Sequence, residues 1–247
     1  MRSLSTAELF AAWEQGLDQN LITRNLLILA KACEGASLND LARLSIGERD
    51  ARLLQLRQTV FGHKMHQTAA CPACHEKTEW ETYTSQLSVQ QFDQSFTAKT
   101  YTTHHQDYHI TYRLANSLDL LSIIQKKLPP EEAQNTILTG CLLEVKKMEP
   151  EVNVDNIPVS VLQAVEEEMS LQDPQADIQF DLTCPACSNQ WQANFDILNF
   201  FWAEVNNWAQ RLMQEIYYLA RFFNWSENEI LALSPRRRQL YLQMINT

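Results

Sequence analysis

The alternation of apolar and polar residues predicts helices at both ends of the chain. Residues 5–16 and 21–35 carry apolar side chains at helical spacing, and each segment ends in a glycine, as helices often do. A third helix is predicted over 45–62, where Ser45 and Glu48 match a capping box. The first 62 residues are therefore expected to form an N-terminal helical region.

The middle of the chain changes to a strand pattern. Residues 63–95 and 176–196 each suggest strand, Cys-Pro-Ala-Cys turn and strand, so they are expected to form one split zinc-knuckle region. Between them, residues 96–175 predict an inserted α/β region. Its parts are a β-hairpin in 96–115 and helices over 117–127, 129–145 and 157–170.

The C-terminal region, 197–247, contains the most regular pattern. A 3.6-residue period predicts a long amphipathic helix whose aromatic stripe is mainly core, although part of it could face a partner protein. The stripe consists of Leu198, Phe201, Trp202, Val205, Trp208, Ala209, Leu212, Met213, Ile216, Ala220 and Phe223. The predicted fold is thus α+β and mostly helical, with zinc-ribbon-like β knuckles between helical ends.

A weak internal repeat links the two helical ends. Residues 37–53 and 226–242 align without a gap and share serines, leucines and an arginine at matching positions. Shared capping rules explain the serines and the acidic residues that follow them. They do not explain the matched arginines, Arg49 and Arg238, so we interpret the segments as similar helix–cap–helix units.

Composition excludes several classes of protein. The net charge of −10 over 247 residues disfavours nonspecific binding to nucleic acid or to an anionic membrane. No apolar run approaches the roughly 18 residues of a membrane span. Glu8 and Glu14 interrupt any signal-peptide pattern, so a cytoplasmic protein is expected. No phosphate loop, nucleophile elbow or paired-carboxylate motif occurs, so neither an enzyme nor a small-molecule substrate is predicted.

The cysteines carry the candidate chemistry. A structural zinc site needs four tetrahedral ligands, and two CxxC turns supply them, so we predict a shared structural Zn²⁺. The four predicted ligands are Cys71, Cys74, Cys184 and Cys187. Closing the 109-residue loop between the turns costs about 4 kcal/mol plus a constant. Structural zinc contributes roughly 10–16 kcal/mol, so binding can close it.

Nearby residues are predicted to support this site rather than to bind the metal. Trp80 and Trp191 follow the two turns at offsets of equal parity, so both indoles could lie on one face and cover the site. Four thiolates leave no place for His63, His66 or His75 as ligands. Thioredoxin-like redox chemistry and two unrelated turns are the alternatives for the cysteine pairs, although the βαβ context of thioredoxin is absent.

The arginine run at the start of the last predicted helix is unfavourable for the helix dipole. It comprises Arg236, Arg237 and Arg238. Two explanations remain open at this stage: pairing with Glu227 or Glu229 within the chain, or an acidic docking surface on a partner.

Residues 37–80 and 176–245, with their CPAC turns and the "FDILNFFWAEVNNW" segment, resemble a known family. It is the zinc-knuckle baseplate proteins of phage-like contractile injection systems, related to the baseplate hub assembly proteins of T-even-type phages. The resemblance implies a non-enzymatic structural or assembly (chaperone-like) protein that binds other baseplate or tail proteins and either helps build the baseplate of a contractile tail or forms part of it. It implies the same four cysteine ligands and marks matched positions, without assigning them a task, at Trp202, Trp208, Trp225, Arg237, Arg238 and Tyr241. We take these six residues, together with Arg236, as candidate partner contacts.

Two other functions compete with this interpretation. A zinc-ribbon regulator that binds nucleic acid would use the ribbon and the arginine run, but the net charge opposes it. A metalloenzyme would need an open coordination position, which four cysteines do not leave.

Overall fold

The computed structural model describes residues 1–89, 95–147 and 157–245. The chain divides into two compact units, one formed by Met1–Gly35 with Ile197–Thr247 and the other by Ala36–Asp196. We call them the terminal unit and the central unit. They cut across the four predicted regions, because the first two helices belong with the C-terminal helices and the next two belong with the knuckles.

Within the described residues, helices dominate and the strands are short and antiparallel, as the predicted α+β class requires. The helices are α1 (Thr6–Gly16), α2 (Leu21–Ala32), α3 (Leu38–Arg43), α4 (Ile46–Phe61), α5 (Thr84–Leu87), α6 (Ser117–Lys126), α7 (Pro130–Cys141), α8 (Val159–Gln172), α9 (Ile197–Phe223), α10 (Glu227–Ala232) and α11 (Pro235–Ile245). The strands are β1 (Lys64–Ala70), β2 (Lys77–Tyr83), β3 (Thr100–His105), β4 (Tyr108–Arg113), β5 (Leu142–Lys147), β6 (Gln179–Thr183) and β7 (Gln190–Asn194).

The terminal unit is held together by the buried face of α9 against α1 and α2. Phe201, Val205 and Ala209 of α9 are fully buried. The Asn25 side chain donates to the backbone oxygen of Leu198 at 3.1 Å. These contacts confirm that the period in 197–223 marks a core face.

Gly16 has a packing role that the sequence pattern did not indicate. It was expected to end its helix as a cap, but the next residue, Leu17, keeps right-handed dihedrals. A Cβ atom at Gly16 would lie 2.8 Å from Cη2 of Trp202. The missing side chain therefore allows α1 and α9 to approach closely.

The central unit contains three separate sheets. β1 pairs with β2, β6 pairs with β7, and β3, β4 and β5 form a three-stranded sheet in that order. The buried face of the last sheet, made by Tyr108, Ile110 and Tyr112 of β4, forms a core with Leu114, Leu138, Val161 and Val165.

β5 corrects one prediction. The helix expected over 129–145 ends at Cys141, and the chain continues as a strand beside β4. From Glu144 to Lys147, exposed and half-buried positions alternate, and the run contains β-branched Val145, so a strand satisfies its pattern better than a helix.

α4 fixes the start of the first knuckle hairpin. Its buried Arg57 donates to the backbone oxygens of Gly62 and Lys64, at 2.7 and 2.9 Å, and so holds the turn into β1. Ser45 caps α4 as predicted, but the other half of the expected capping box is not formed. The Glu48 carboxylate instead accepts from Lys99 Nζ at 2.6 Å.

Candidate metal centre

The two Cys-Pro-Ala-Cys turns join the strands of two hairpins and have the same backbone geometry. In the first turn, the N–H of Cys71 donates to the oxygen of Glu76, and the N–H of His75 donates to the oxygen of Cys71. In the second, Cys184 bonds to Asn189 and Ser188 bonds to Cys184 in the same pattern. The predicted strand–knuckle–strand pattern is therefore confirmed at both places.

Each turn needs a residue with left-handed backbone dihedrals just after its second cysteine. His75 has φ of 62° and Ser188 has φ of 59°. Such values are uncommon for residues other than glycine, asparagine and aspartate. Their recurrence at equivalent positions indicates that the closing of the turn compensates for the local strain.

The four cysteine sulfurs form one cluster. The Sγ atoms of Cys71, Cys74, Cys184 and Cys187 all lie within 4.8 Å of one another. Cys71 Sγ is 3.7 Å from Cys187 Sγ, and Cys74 Sγ is 3.5 Å from Cys184 Sγ. The contacts cross from one hairpin to the other, so the cluster joins segments that are 110 or more residues apart.

These distances suit a tetrahedral metal better than a disulfide. A Zn–S bond of about 2.3 Å in a tetrahedron separates the sulfurs by about 3.8 Å. A disulfide would need an S–S distance of about 2.05 Å. The donor set and its spacing therefore fit a thiolate-bound ion such as Zn²⁺, with Cys71 and Cys184 buried and Cys74 and Cys187 at the surface.

The local hydrogen bonds prepare Cys71 to act as a thiolate. Burial alone would raise the pKa of its thiol, but the backbone N–H groups of Cys74 and Ala73 and two neighbouring thiols lower that pKa to about 6. For Cys74, the backbone N–H of Glu76 favours the thiolate, yet the neighbouring thiols and burial raise its pKa to about 12. A negative charge on one sulfur thus disfavours ionisation of the neighbouring thiols, and a divalent cation would relieve this repulsion.

Aromatic rings pack where the two hairpins meet. The rings of Trp80 and Phe180 lie edge to face with centroids 5.3 Å apart, and Phe195 packs against Phe180 at 6.0 Å. Trp80 and Trp191 both lie on the less exposed faces of their strands. That both indoles cover the cluster stays a prediction.

Two buried polar side chains that sequence analysis missed position the second hairpin. Gln175 donates to the oxygen of Leu87 and accepts from the N–H of Val89, at 2.9 and 3.0 Å, which ties the segment before β6 to the segment after β2. Asp173 accepts from Ser45 Oγ and from the N–H of Gly47. The Asp173–Pro174 pair signals a turn, but nothing in the sequence identifies these distant partners.

Histidines are absent from the four-sulfur group among the described residues. His66 lies near Glu81, with Nδ1 3.5 Å from a carboxylate oxygen. His104 and His109 face each other across β3 and β4, with His109 Nδ1 2.9 Å from His104 Nε2. The structure therefore brings together the predicted cysteines without these rings.

The predicted partner residues lie in the terminal unit and differ in accessibility. Trp202 is only 9% exposed. Trp208 is half-buried and packs against Phe10. Trp225 and Tyr241 are half-buried and pack on each other and on Phe223, which forms an aromatic cluster within this unit.

The arginine run has two roles. Arg236 and Arg237 are exposed, whereas Arg238 is 2% exposed and its Nε donates to Glu215 Oε2 at 2.8 Å. The proposed pairing with Glu229 is wrong, because that carboxylate closes a capping box with Ser226. Arg238 is thus used inside the fold, which corrects its prediction as a partner contact.

The fold and the cluster define a mostly helical α+β protein with a candidate four-cysteine metal centre. The chain matches the T4 bacteriophage base plate protein family over residues 7–202, which is most of its length, and it belongs to that family. No curated protein and no solved structure matches the chain. The matched segment includes all four cysteines and ends before Trp208 and the arginine run.

Family membership confirms the predicted relationship to T4-type baseplate proteins. The chain is therefore a structural protein of a phage-type baseplate. Membership of this family implies contacts with other baseplate or tail proteins. Over the described part of the chain, none of the helices combines the length and the apolar character needed to cross a bilayer.

Proposed function

We propose that the protein is a non-enzymatic structural or assembly subunit in the baseplate of a phage-like contractile tail or injection system. In this proposal a structural Zn²⁺ held by Cys71, Cys74, Cys184 and Cys187 clamps its central unit. The observation that carries the proposal is the meeting of four sulfurs from two distant hairpins within 4.8 Å.

The proposed clamp would stabilise the two knuckle hairpins. A two-stranded hairpin by itself is marginally stable in water, and each knuckle belongs to such a hairpin. Zinc bound by all four thiolates would contribute up to roughly 10–16 kcal/mol, well above the cost of closing the loop. The metal would therefore hold together two sheets that cannot be stable alone.

The coordination also argues for a structural role over a catalytic one. Catalytic zinc keeps a position open for water or substrate, whereas four cysteines close the tetrahedron. The remaining part of the proposal is that the protein binds its neighbours during assembly through residues of the terminal unit. Exposed or half-exposed candidates for such contacts are Trp208, Trp225, Arg236, Arg237 and Tyr241.

The first test measures the metal. Purified protein should contain one zinc per chain by mass spectrometry, and Co²⁺ substitution should give the absorption of tetrahedral thiolate coordination. Cys184→Ser should lose the metal, whereas Cys141→Ser, which changes a buried cysteine outside the cluster, should retain it. Iron in place of zinc would change the identity of the ion, and a metal-free folded protein would refute the clamp.

The second test concerns assembly. Co-expression with the other baseplate proteins of the same gene cluster should yield a stable complex that contains this chain. Comparison of the complex with the mature particle then separates a permanent subunit from an assembly factor that leaves. A chain that forms no complex with any of these proteins would contradict the assembly role while leaving the metal result unaffected.

A nucleic-acid-binding regulator is less well supported. The central unit, which contains both knuckles, has 12 Lys and Arg residues against 22 Asp and Glu residues, a net charge of −10. A nucleic-acid surface needs the opposite sign. Binding to DNA or RNA that weakens steeply with salt would restore this alternative.

A further inference from the structure

One face of α9 is exposed although it is rich in apolar residues. Met213, Tyr217, Tyr218 and Phe222 are 42%, 55%, 53% and 62% exposed. Positions 213, 217 and 221 and positions 214, 218 and 222 are each spaced by four residues, so they form two adjacent ridges on one side of the helix. We call Met213, Tyr217, Tyr218, Arg221 and Phe222 the aromatic face.

This face is unusual for the solvent side of an amphipathic helix. The opposite side of α9 is already buried through Val205, Leu212 and Leu219, so the unit's own core does not need the aromatic face. A solvent side is normally polar or charged. Tyrosine, arginine, phenylalanine and methionine are the residues that protein interfaces favour, which points to a partner.

The charge on the aromatic face is positive. Arg221 donates to the hydroxyl of Tyr217 at 2.8 Å, and among the described residues no carboxylate lies within ion-pair distance of it. The terminal unit as a whole has eight Lys and Arg residues and eight Asp and Glu residues. The unit therefore has no net negative charge, and an acidic surface outside it would complement Arg221.

The central unit has a surface of matching character. A groove of about 460 Å³ runs beside α8, and its floor is apolar. The floor is made by Ile46, Leu114, Ile137, Leu138 and Met169. This volume is large enough for aromatic side chains.

The rim of this groove is acidic. Exposed Asp177 and half-buried Glu166 line it, and Asp173 is buried, where it is bound to Ser45 and Gly47. Gln134, which also lines the groove, donates to Glu166. Since the central unit carries the whole net charge of the chain, an aromatic ridge with a cation is the complementary occupant.

We propose that the protein associates with itself head to tail: the aromatic face of one copy inserts into the α8 groove of a second copy. The apolar side chains enter the groove, and Arg221 approaches Glu166 and Asp177 at the rim. Because the two surfaces differ, the contact is heterologous and leaves one of each free, so association continues into a ring or a filament. This contact does not need another baseplate protein.

Sedimentation velocity of the full, metal-loaded chain tests the proposal. At about 0.01 M salt the protein should associate in a concentration-dependent way, and about 1 M salt should weaken the association, because the screening length falls about tenfold. Tyr217→Ser/Phe222→Ser breaks the aromatic face, and Glu166→Lys/Asp177→Lys breaks the rim. Each should raise the dissociation constant at least tenfold.

A matched control changes residues of the same types on neither surface. Ile124→Ser/Asp107→Lys removes an exposed apolar side chain and reverses an exposed acid, and it should associate like the unmodified protein. Far-ultraviolet circular dichroism and metal content should be the same for all variants, so that loss of association cannot be attributed to unfolding or to metal loss.

Mixing the two defective variants gives the decisive result. The face variant keeps an intact groove and the groove variant keeps an intact face, so an equimolar mixture should form a one-to-one dimer that cannot grow. Face-to-face or groove-to-groove pairing would not be restored in this way and would overturn the head-to-tail contact. A protein that stays monomeric at low salt, and binds only other baseplate proteins, would overturn it as well.

Discussion

The terminal and central units differ in the interactions that stabilise them. The terminal unit packs helices through one apolar face of α9 and is electrically neutral, with eight residues of each charge. The central unit divides its strands among three small sheets, carries a net charge of −10 and contains the four clustered cysteines. A continuous apolar face can stabilise a unit alone, whereas small hairpins with repelling charges need a cross-link.

The largest expected effect comes from removing the proposed metal, because its four candidate ligands all lie in the central unit. Chelation should increase hydrogen exchange throughout β1, β2, β6 and β7 and leave α1, α2 and α9 protected. The loss in free energy of unfolding is expected to reach up to about 10 kcal/mol. Hydrogen exchange read out by mass spectrometry checks this. Equal deprotection of α9 would show that the metal stabilises both units and would break the comparison.

The next largest effect is expected when the core of the terminal unit is perturbed instead of the central unit. Phe201→Ala removes a fully buried ring from the terminal unit and should cost about 3–5 kcal/mol, because the cavity cannot collapse completely. Zinc content should not change, since the ligands lie in the other unit. Phe222→Ala, which truncates an exposed ring on the same helix, is the control and should change the free energy of unfolding by less than about 0.5 kcal/mol. Urea denaturation with metal analysis measures both.

A smaller effect is expected at Gly47. A Cβ atom there would overlap the Asp173 carboxylate, which is fixed by bonds to Ser45 and to Gly47 itself. Gly47→Ala should therefore destabilise the central unit by about 1–3 kcal/mol and loosen the second hairpin. Gly140→Ala in α7 meets no neighbouring atom and should be neutral or stabilising by about 0.5–1 kcal/mol. Thermal unfolding of the two variants compares them, and equal destabilisation would rule out the steric cause.

The smallest effect concerns pH in the terminal unit. Bonds from Arg2 and from Ser5 lower the pKa of Glu8 to about 2. Its contribution is therefore present above its ordinary value of 4.5 and is lost as pH falls from 4.5 towards 2. Glu8→Gln should flatten the decrease of melting temperature over that window. Half-buried Asp50 and buried Asp173 in the central unit act in the opposite sense, because removal from water raises the pKa of both carboxyl groups.

The repeated helix–cap–helix units show the limits of a sequence match. Capping boxes form at Ser37 and at Ser226, as the pattern predicts. The matched arginines, which capping rules did not explain, are both buried at the start of a helix. Arg49 bonds to Asp50 and Ser117, whereas Arg238 bonds to Glu215 and to the oxygen of Leu233. The two segments thus share a buried arginine, whereas the residues that this arginine contacts differ between the units.

Much of the secondary structure and the membership of the four-cysteine cluster could be predicted from the sequence. Helical period, serine caps and the CxxC spacing are properties of short segments, so they do not depend on contacts with distant parts of the chain. Met213 and Leu219 mark the limit of this approach. The period placed Met213 in the core stripe, but the structure exposes it and buries Leu219 instead, because the face of a long helix shifts as its neighbours change.

The sequence by itself determined which residues can cap, turn and bind a metal, because those abilities belong to short segments and to side-chain chemistry. The tertiary structure decided how distant segments meet. It grouped α1 and α2 with α9, joined two hairpins through Asp173 and Gln175, buried Arg238 and left the aromatic face of α9 uncovered. Each of these depends on contacts between residues far apart in the chain, which no local pattern encodes.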